Sequence, residues 1–254
     1  MSSLGRYYQT DYLGESVITK VVFKNGAKEE TREWVSSTFS NTKHNGIAHV
    51  IGNGKSRQGF NLNLLREVHG GLLAKGMGQT YGCNALYRDF APDFLVVTGQ
   101  SVAHEIAPKF PNGDTIGVTW SKNLLAFPEK YHLVPYNVRL TAGAAAAYLA
   151  CFHGHTKIYL LGFDTQLDPR NTNNIYINTA GYPTDSDCPS NAAFIKDLKT
   201  VMDVYDDVEF IRVMPRLNSP IPEDWKWCKN FSQITYQKYI SLCDLGSALH
   251  YLKK

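Results

Sequence analysis

From residue 47 onward the chain alternates strand-like and helix-like segments, and the strand-like ones end in small or polar residues. Residues 47–51, 79–83, 94–98, 157–161 and 208–213 read as strands, with 115–120 a weaker one. Residues 60–68, 102–107, 141–152, 191–205 and 234–252 read as helical, the best being 141–152. Such alternation predicts an α/β fold: a mostly parallel sheet with helices on both faces. In sheets of that kind ligands bind outside the carboxyl ends of the strands. Four strand ends are therefore expected to converge on one crevice: Gly52-Asn53-Gly54-Lys55-Ser56, Gly82-Cys83-Asn84, Thr98-Gly99-Gln100 and Gly162-Phe163-Asp164.

The first of these has the form of a phosphate-holding loop. Glycines permit positive φ and let a ligand approach the backbone, while Asn53 and Ser56 add short polar side chains. It is not a Walker A loop, because the GxxxxGK[ST] spacing is absent, nor a GxGxxG fingerprint, because Arg57 stands where the third glycine would be. Thr141 is placed to cap the helix that follows it, which would leave backbone N–H groups for an anion. The alanines at 144–147 suit close helix–sheet packing whether or not a ligand is bound.

A chain of 254 residues, 43% hydrophobic and 19% charged, can bury one good-sized core or a core plus an appendage. The net charge of +3 is small and its lysines and arginines are scattered, so no nucleic acid partner is expected. The longest apolar stretch, 142–152, is too short to span a membrane. The N-terminus lacks the basic and apolar regions of a signal peptide. The cysteines at 83, 151, 188, 228 and 243 form no CxxC pair, which argues against a disulfide framework or structural zinc. These features predict a reduced, cytoplasmic protein. Residues 17–23 and 31–36 are β-prone and linked through Asn25-Gly26, a favourable turn pair. The expected division is a β-hairpin extension at 1–44 and a nucleotide-binding domain at 45–254, the hairpin covering a sheet edge or joining copies in a homo-oligomer.

With the strand ends in view, the chain resembles the single-domain, metal-independent bacterial sialyltransferases, which have a modified GT-A, Rossmann-like fold, and the related pterin diphosphokinase-like proteins. The resemblance rests on GNGKS (52–56) against GNGPS, on Cys83-Asn84 with Tyr87, and on Thr98-Gly99-Gln100 against a TPN-like element. It is most specific over 141–164, TAGAAAAYLACFHGHTKIYLLGFD, which is similar to a TSG-initiated helix followed by a GYKEIYLSGID-type strand. It covers roughly 47–215. The resemblance implies a CMP-sugar donor and a glycan acceptor, with no metal and no cofactor. Gly52, Asn53, Gly54, Ser56, Asn84, Gln100, Thr141 and Gly143 would hold the nucleotide, and Tyr176 and Tyr182 would assist the departing phosphate.

One departure stands out. The family places a histidine base after its tyrosine-rich segment, whereas this chain has no histidine between His155 and His250. His104, Asp164, Asp185 and Asp187 are the substitutes the sequence offers, Asp164 first among the carboxylates because it ends a buried strand, although it can equally cap the loop it begins. His153 and His155 sit at a helix end, where cationic side chains favour the dipole, and read as structural. Trp225 and Trp227 either line an acceptor site or pack, and packing is the expectation. Two other functions remain open: Mg²⁺/ATP-dependent pyrophosphate transfer using Asp164, and a non-catalytic, virion-associated structural module that keeps the nucleotide fold.

Overall fold

The computed structural model describes residues 4–10, 15–24, 27–36, 46–65, 78–109, 115–127, 130–135, 138–165, 173–182 and 191–245. Eight strands form one wholly parallel sheet: β4 (Ile47–Ile51), β5 (Gln79–Cys83), β6 (Phe94–Val97), β7 (Ile116–Thr119), β8 (His132–Leu133), β9 (Lys157–Leu161), β10 (Glu209–Met214) and β11 (Phe231–Thr235). Their spatial order is β11-β10-β9-β4-β5-β6-β7-β8. The chain thus lays strands outward from β4 to β8, returns to the other side of β4 as β9, and builds outward again. Strand order reverses between β4 and β9, where a doubly wound sheet opens a crevice at its carboxyl edge.

The helices are α1 (Gln100–Ile106), α2 (Ser121–Ala126), α3 (Ala142–Phe152), α4 (Asn191–Val204), α5 (Glu223–Lys226) and α6 (Tyr236–Leu242). Successive strand residues point to opposite faces. Ile51, Val97 and Leu161 accordingly join one core with Ile106 of α1 and Tyr239 of α6. Val50, Val96 and Leu160 join the other with α3, Leu198 of α4 and Trp225 of α5. A sheet covered on both faces favours apolar residues on both sides of its strands, which is why β6 and β9 read as near-continuous hydrophobic runs, while His49, Gln79, Thr80 and Arg212 are buried polar exceptions. Alanines 144–147 are almost fully buried, so α3 lies close on the sheet.

A separate antiparallel sheet precedes this domain, with order β1 (Leu4–Thr10), β2 (Glu15–Lys24), β3 (Ala27–Ser36). It has three strands where the sequence suggested a two-stranded hairpin. The strand expected at 208–213 is not the last, because β11 pairs beyond it, Ile234 opposite Val213. The helix expected from Ile234 begins at Tyr236, since the Thr235 side chain accepts from the Lys238 N–H and caps it there. A 3-10 turn over Lys55–Gly59 precedes the expected 60–68 helix, within which residues 63–65 are helical. Residues 66–68 and 246–252, and the candidate carboxylates Asp185 and Asp187, lie outside the described residues.

Candidate functional site

At the reversal point the loops after β4 and β9 run against each other. The Gly52 N–H donates to the Leu161 carbonyl at 2.7 Å and the Gly54 N–H to the Gly162 carbonyl at 2.9 Å. A Cβ on Gly52 would lie 2.6 Å from the Gly162 oxygen, and one on Gly54 would lie 2.5 Å from it and 2.6 Å from Asp164 Cγ. Loop-to-loop contact therefore accounts for both glycines, with no ligand required.

Above these loops lies a cavity of about 370 Å³. Gly52, Asn53, Gly54, Asn84, Thr141, Gly143, Asp164 and Tyr182 all line it. Asp164 Oδ2 accepts from the Ser56 N–H at 2.9 Å and from Asn173 Nδ2 at 2.6 Å, while its Oδ1 is buried with no hydrogen-bond partner among the described residues. Burial pushes the Asp164 carboxyl above the usual carboxylate range, against the opposing pull of the Ser56 hydrogen bonds and the positive charge of Arg212. Asn53 Nδ2 donates to the Cys83 carbonyl at 3.3 Å, which leaves its Oδ1 buried and unpartnered in the same sense. The Thr141 hydroxyl makes no cap bond to α3 and is likewise unpartnered, as is the indole Nε1 of Trp120. Buried polar atoms are nearly always hydrogen-bonded in folded proteins. The residues that carry these four atoms, together with Tyr182, whose hydroxyl is unpartnered in the same sense, come from five different segments and all line this one cavity.

Asn84 holds a left-handed conformation, φ 46°, and its Oδ1 accepts from the Thr98 N–H at 2.9 Å, clasping the β5 end to the β6 end. The Tyr182 hydroxyl lies beside Asn84 and Ala85, and burial raises its pKa, so it is a neutral phenol at ordinary pH. Cys83 also lines the cavity, but burial pushes its thiol up to about 12, which removes it as a thiolate nucleophile.

The remaining candidates sit elsewhere. Ser56 lies under the cavity, engaged with Asp164 through its N–H. The Tyr176 hydroxyl donates to Asp89 Oδ2 at 2.6 Å and accepts from Arg57 Nη2 at 2.8 Å, away from the cavity lining. Gln100 is the exposed first residue of α1, and exposed His104 meets the Phe127 ring edge-on at 4.8 Å. His153 and His155 belong to a buried network around Tyr81, its hydroxyl 2.8 Å from His153 Nδ1 and 3.0 Å from His155 Nε2. Trp225 is buried and its ring lines the cavity, whereas Trp227 is 78% exposed.

Three residues that local pattern did not reveal complete the site. Arg57 is buried and donates from Nε to the Gly52 carbonyl at 2.8 Å, fixing the loop from below. Arg139 lines the cavity with its guanidinium 5.0 Å from the Trp120 ring centroid, so a cation and an indole N–H occur together. Asp197 also lines it, accepting from the Thr141 N–H at 2.6 Å. Among the described residues no group of three or more His, Cys, Asp or Glu side chains could hold a metal ion, and no helix is long and apolar enough to cross a membrane.

No family model and no curated protein matches the chain. Solved structures do. The sialyltransferase CstII from Campylobacter jejuni, in complex with the substrate analogue CMP-3FNeuAc, is similar at 16% identity over 68% of this chain and 81% of that one, with a TM-score of 0.41. The same enzyme in complex with cytidine-5'-monophosphate is similar at 16% identity over 70% and 82% of the two chains, with a TM-score of 0.44. A variant of the sialyltransferase CST-II in complex with CMP gives 13% identity, coverage of 78% and 98%, and a TM-score of 0.42.

Proposed function

We propose that this protein is a glycosyltransferase that takes a nucleotide-activated sugar, most simply a CMP-linked acidic sugar, and transfers it without a metal. That Asn53, Trp120, Thr141, Asp164 and Tyr182, each with a buried polar atom lacking a partner among the described residues, all line the cavity at the β4–β9 reversal is the observation that supports this reading. Asn53 and Thr141 are hydrogen-bonding partners for sugar hydroxyls. Arg139, the Trp120 indole N–H and the first N–H groups of α3 face the anionic part of the donor. The acceptor oxygen attacks the anomeric carbon and the bond from that carbon to the phosphate oxygen breaks, its electron pair leaving with the phosphate. Tyr182 donates a hydrogen bond to the departing oxygen, where charge develops. Asp164 Oδ1 takes the acceptor proton, its burial bringing its pKa closer to working pH.

The test is nucleotide release from CMP-, UDP- and GDP-sugars in the presence of a chelator. Release from the CMP-sugar, unaffected by chelation, is the expected result. A strict Mg²⁺ requirement with ATP would replace this reading by pyrophosphate transfer. A second reading, nucleotide binding without turnover, is favoured by the engagement of Tyr176 with Arg57 and Asp89 and by a cavity lining with no histidine among the described residues. Binding of CMP with no turnover of any donor would select it.

The tyrosines separate under mutation. Tyr182→Phe is expected to lower kcat with little change in donor affinity, because its hydroxyl acts mainly as charge develops. Tyr176→Phe is expected to lower stability by about 1–2 kcal/mol, since Arg57 and Asp89 lose a shared buried partner, with the catalytic effect secondary. Melting curves beside donor turnover for both variants check the contrast, and equal loss of affinity in both would mean that the tyrosines only shape the site. The N-terminal sheet, within 1–44, is a separate unit serving edge covering or self-association. A protein lacking residues 1–42 is expected to bind the nucleotide as the full chain does, by calorimetric titration.

A further inference from the structure

Tyr182 lines the cavity from the end of the segment 173–182, whose two ends are held by different means. The start is laid on the loop after β4: the Lys55 N–H donates to the Asn173 carbonyl at 3.1 Å and the Ile175 N–H to the Asn53 carbonyl at 2.9 Å. The end closes into a turn, with the Tyr182 N–H on the Thr179 carbonyl at 2.9 Å, the Asn178 N–H on the Tyr182 carbonyl at 2.8 Å and positive φ at Asn178 and Gly181. Arg88 fastens this turn to the domain. Its Nη1 donates to Thr179 Oγ1 at 2.6 Å and its Nη2 to the Ala180 carbonyl at 2.7 Å, immediately upstream of Tyr182. Arg88 ends the 3-10 turn Asn84–Arg88 and lies outside the cavity lining. Its guanidinium is squared against Glu105 of α1, Nε to Oε1 at 3.0 Å and Nη2 to Oε2 at 2.6 Å, and Glu105 also accepts from the Tyr87 hydroxyl. A fork engaged by both oxygens of a carboxylate has a fixed plane, so the turn bonded to it is fixed as well. Burial raises the pKa of the Tyr182 phenol and the positive charge of Arg88 pulls it the other way, which makes the hydroxyl a better donor than burial alone would leave it.

We propose that Arg88 is a positioning residue for sugar transfer: without touching the donor, it ties the Thr179–Ala180 turn to Glu105 of α1 and so sets where the Tyr182 hydroxyl stands. The inference rests on the transfer reading above and adds to it a residue from outside the cavity. A hydrogen bond to a departing oxygen counts only over a narrow range of distance and angle, and a displacement of about 1 Å can cost about a hundredfold in rate. The residue type follows from the geometry. Three guanidinium nitrogens address two carboxylate oxygens, a hydroxyl and a carbonyl together, whereas a lysine ammonium presents its donors from one point and cannot span them.

A double-mutant cycle on the full-length protein tests this, with nucleotide release from a CMP-sugar resolved into kcat and KM. Arg88→Lys and Arg88→Met are each expected to lower kcat about tenfold or more with donor KM within about twofold of the parent. In a Tyr182→Phe background the same changes should lower kcat by less than about threefold, because the hydroxyl they displace is already gone. Thr179→Val, at an exposed residue, removes one of the two bonds and should give a smaller fall that also vanishes with Tyr182→Phe. This variant decides the matter if the Arg88 variants do not fold. Falls that multiply in full with that of Tyr182→Phe mean that Arg88 acts elsewhere and overturn the assignment. Unchanged kcat in the Arg88, Thr179 or Tyr182 variants, or a rise in KM alone, overturns it too and leaves the transfer reading in place. Absence of nucleotide release from any donor by the unaltered protein overturns both.

Discussion

Replacing Asp164 by asparagine is expected to lower sugar transfer by about 10²–10⁴-fold while leaving the protein as stable at neutral pH, or more stable. The two effects have one cause. In the folded protein Asp164 is largely withdrawn from water, which holds its carboxyl pKa above the unfolded value. The native state therefore binds this proton more tightly than the unfolded chain does. Stability consequently falls as pH rises from the ordinary carboxylate range through the folded pKa, and at neutral pH the ionised group is a standing cost. Asparagine removes that cost, and its side-chain oxygen can still accept from the Ser56 N–H. It cannot take the acceptor proton. Thermal melts of both proteins from about pH 4 to about pH 8, set beside donor turnover, check this, because the asparagine variant should lack the decline shown by the parent. Undiminished turnover would remove Asp164 from the role of base, and a lower melting temperature at neutral pH would mean that its charge is needed by the fold.

The second large effect concerns stability. Gly54→Ala would place a methyl group 2.5 Å from the Gly162 carbonyl oxygen and 2.6 Å from Asp164 Cγ. Neither loop can simply swing aside, because the Gly54 N–H is bonded to that same carbonyl. Overpacking against backbone on this scale is expected to cost about 3 kcal/mol, which lowers the melting temperature of a chain of this size by roughly 6–12 °C. Gly59→Ala is the matched control. An added Cβ there meets nothing within 4 Å, and the change should stay within about 0.5 kcal/mol. A Gly54→Ala protein that melts with the Gly59→Ala control would show that the two loops stand further apart than described.

The strand ends were legible in sequence because the central strands are largely apolar and then yield to residues that can turn. Ile51 gives way to Gly52 and Leu161 to Gly162 for that reason. The cavity that results depends on an additional fact, that β9 returns to the side of β4, which alternation alone does not contain. Arg139 and Asp197 therefore carried no local signal. Each lies in a segment unremarkable by itself and meets the site only through the order of the strands. Tyr176 shows the opposite limit. A motif names a residue type, but whether its hydroxyl faces the ligand or the Arg57–Asp89 pair is decided by packing. β11 escaped notice because it is an edge strand with residues only partly buried, so FSQIT shows no apolar run.

The position of β4 bears on how the chain acquires its structure. It is the first strand of the large sheet to be synthesised and one of the most deeply interior, yet the neighbour on one side, β9, emerges only after four other strands, Ile47 waiting for Lys157. Contacts between residues so far apart in sequence close slowly. Until β9 emerges, one hydrogen-bonding edge of β4 stays open beside fully buried-to-be Val50 and Ile51, which makes a nascent chain halted before residue 157 a template for unwanted strand pairing. Fragments ending ahead of β9 should aggregate where the full chain does not, and refolding from denaturant should become less efficient as protein concentration rises.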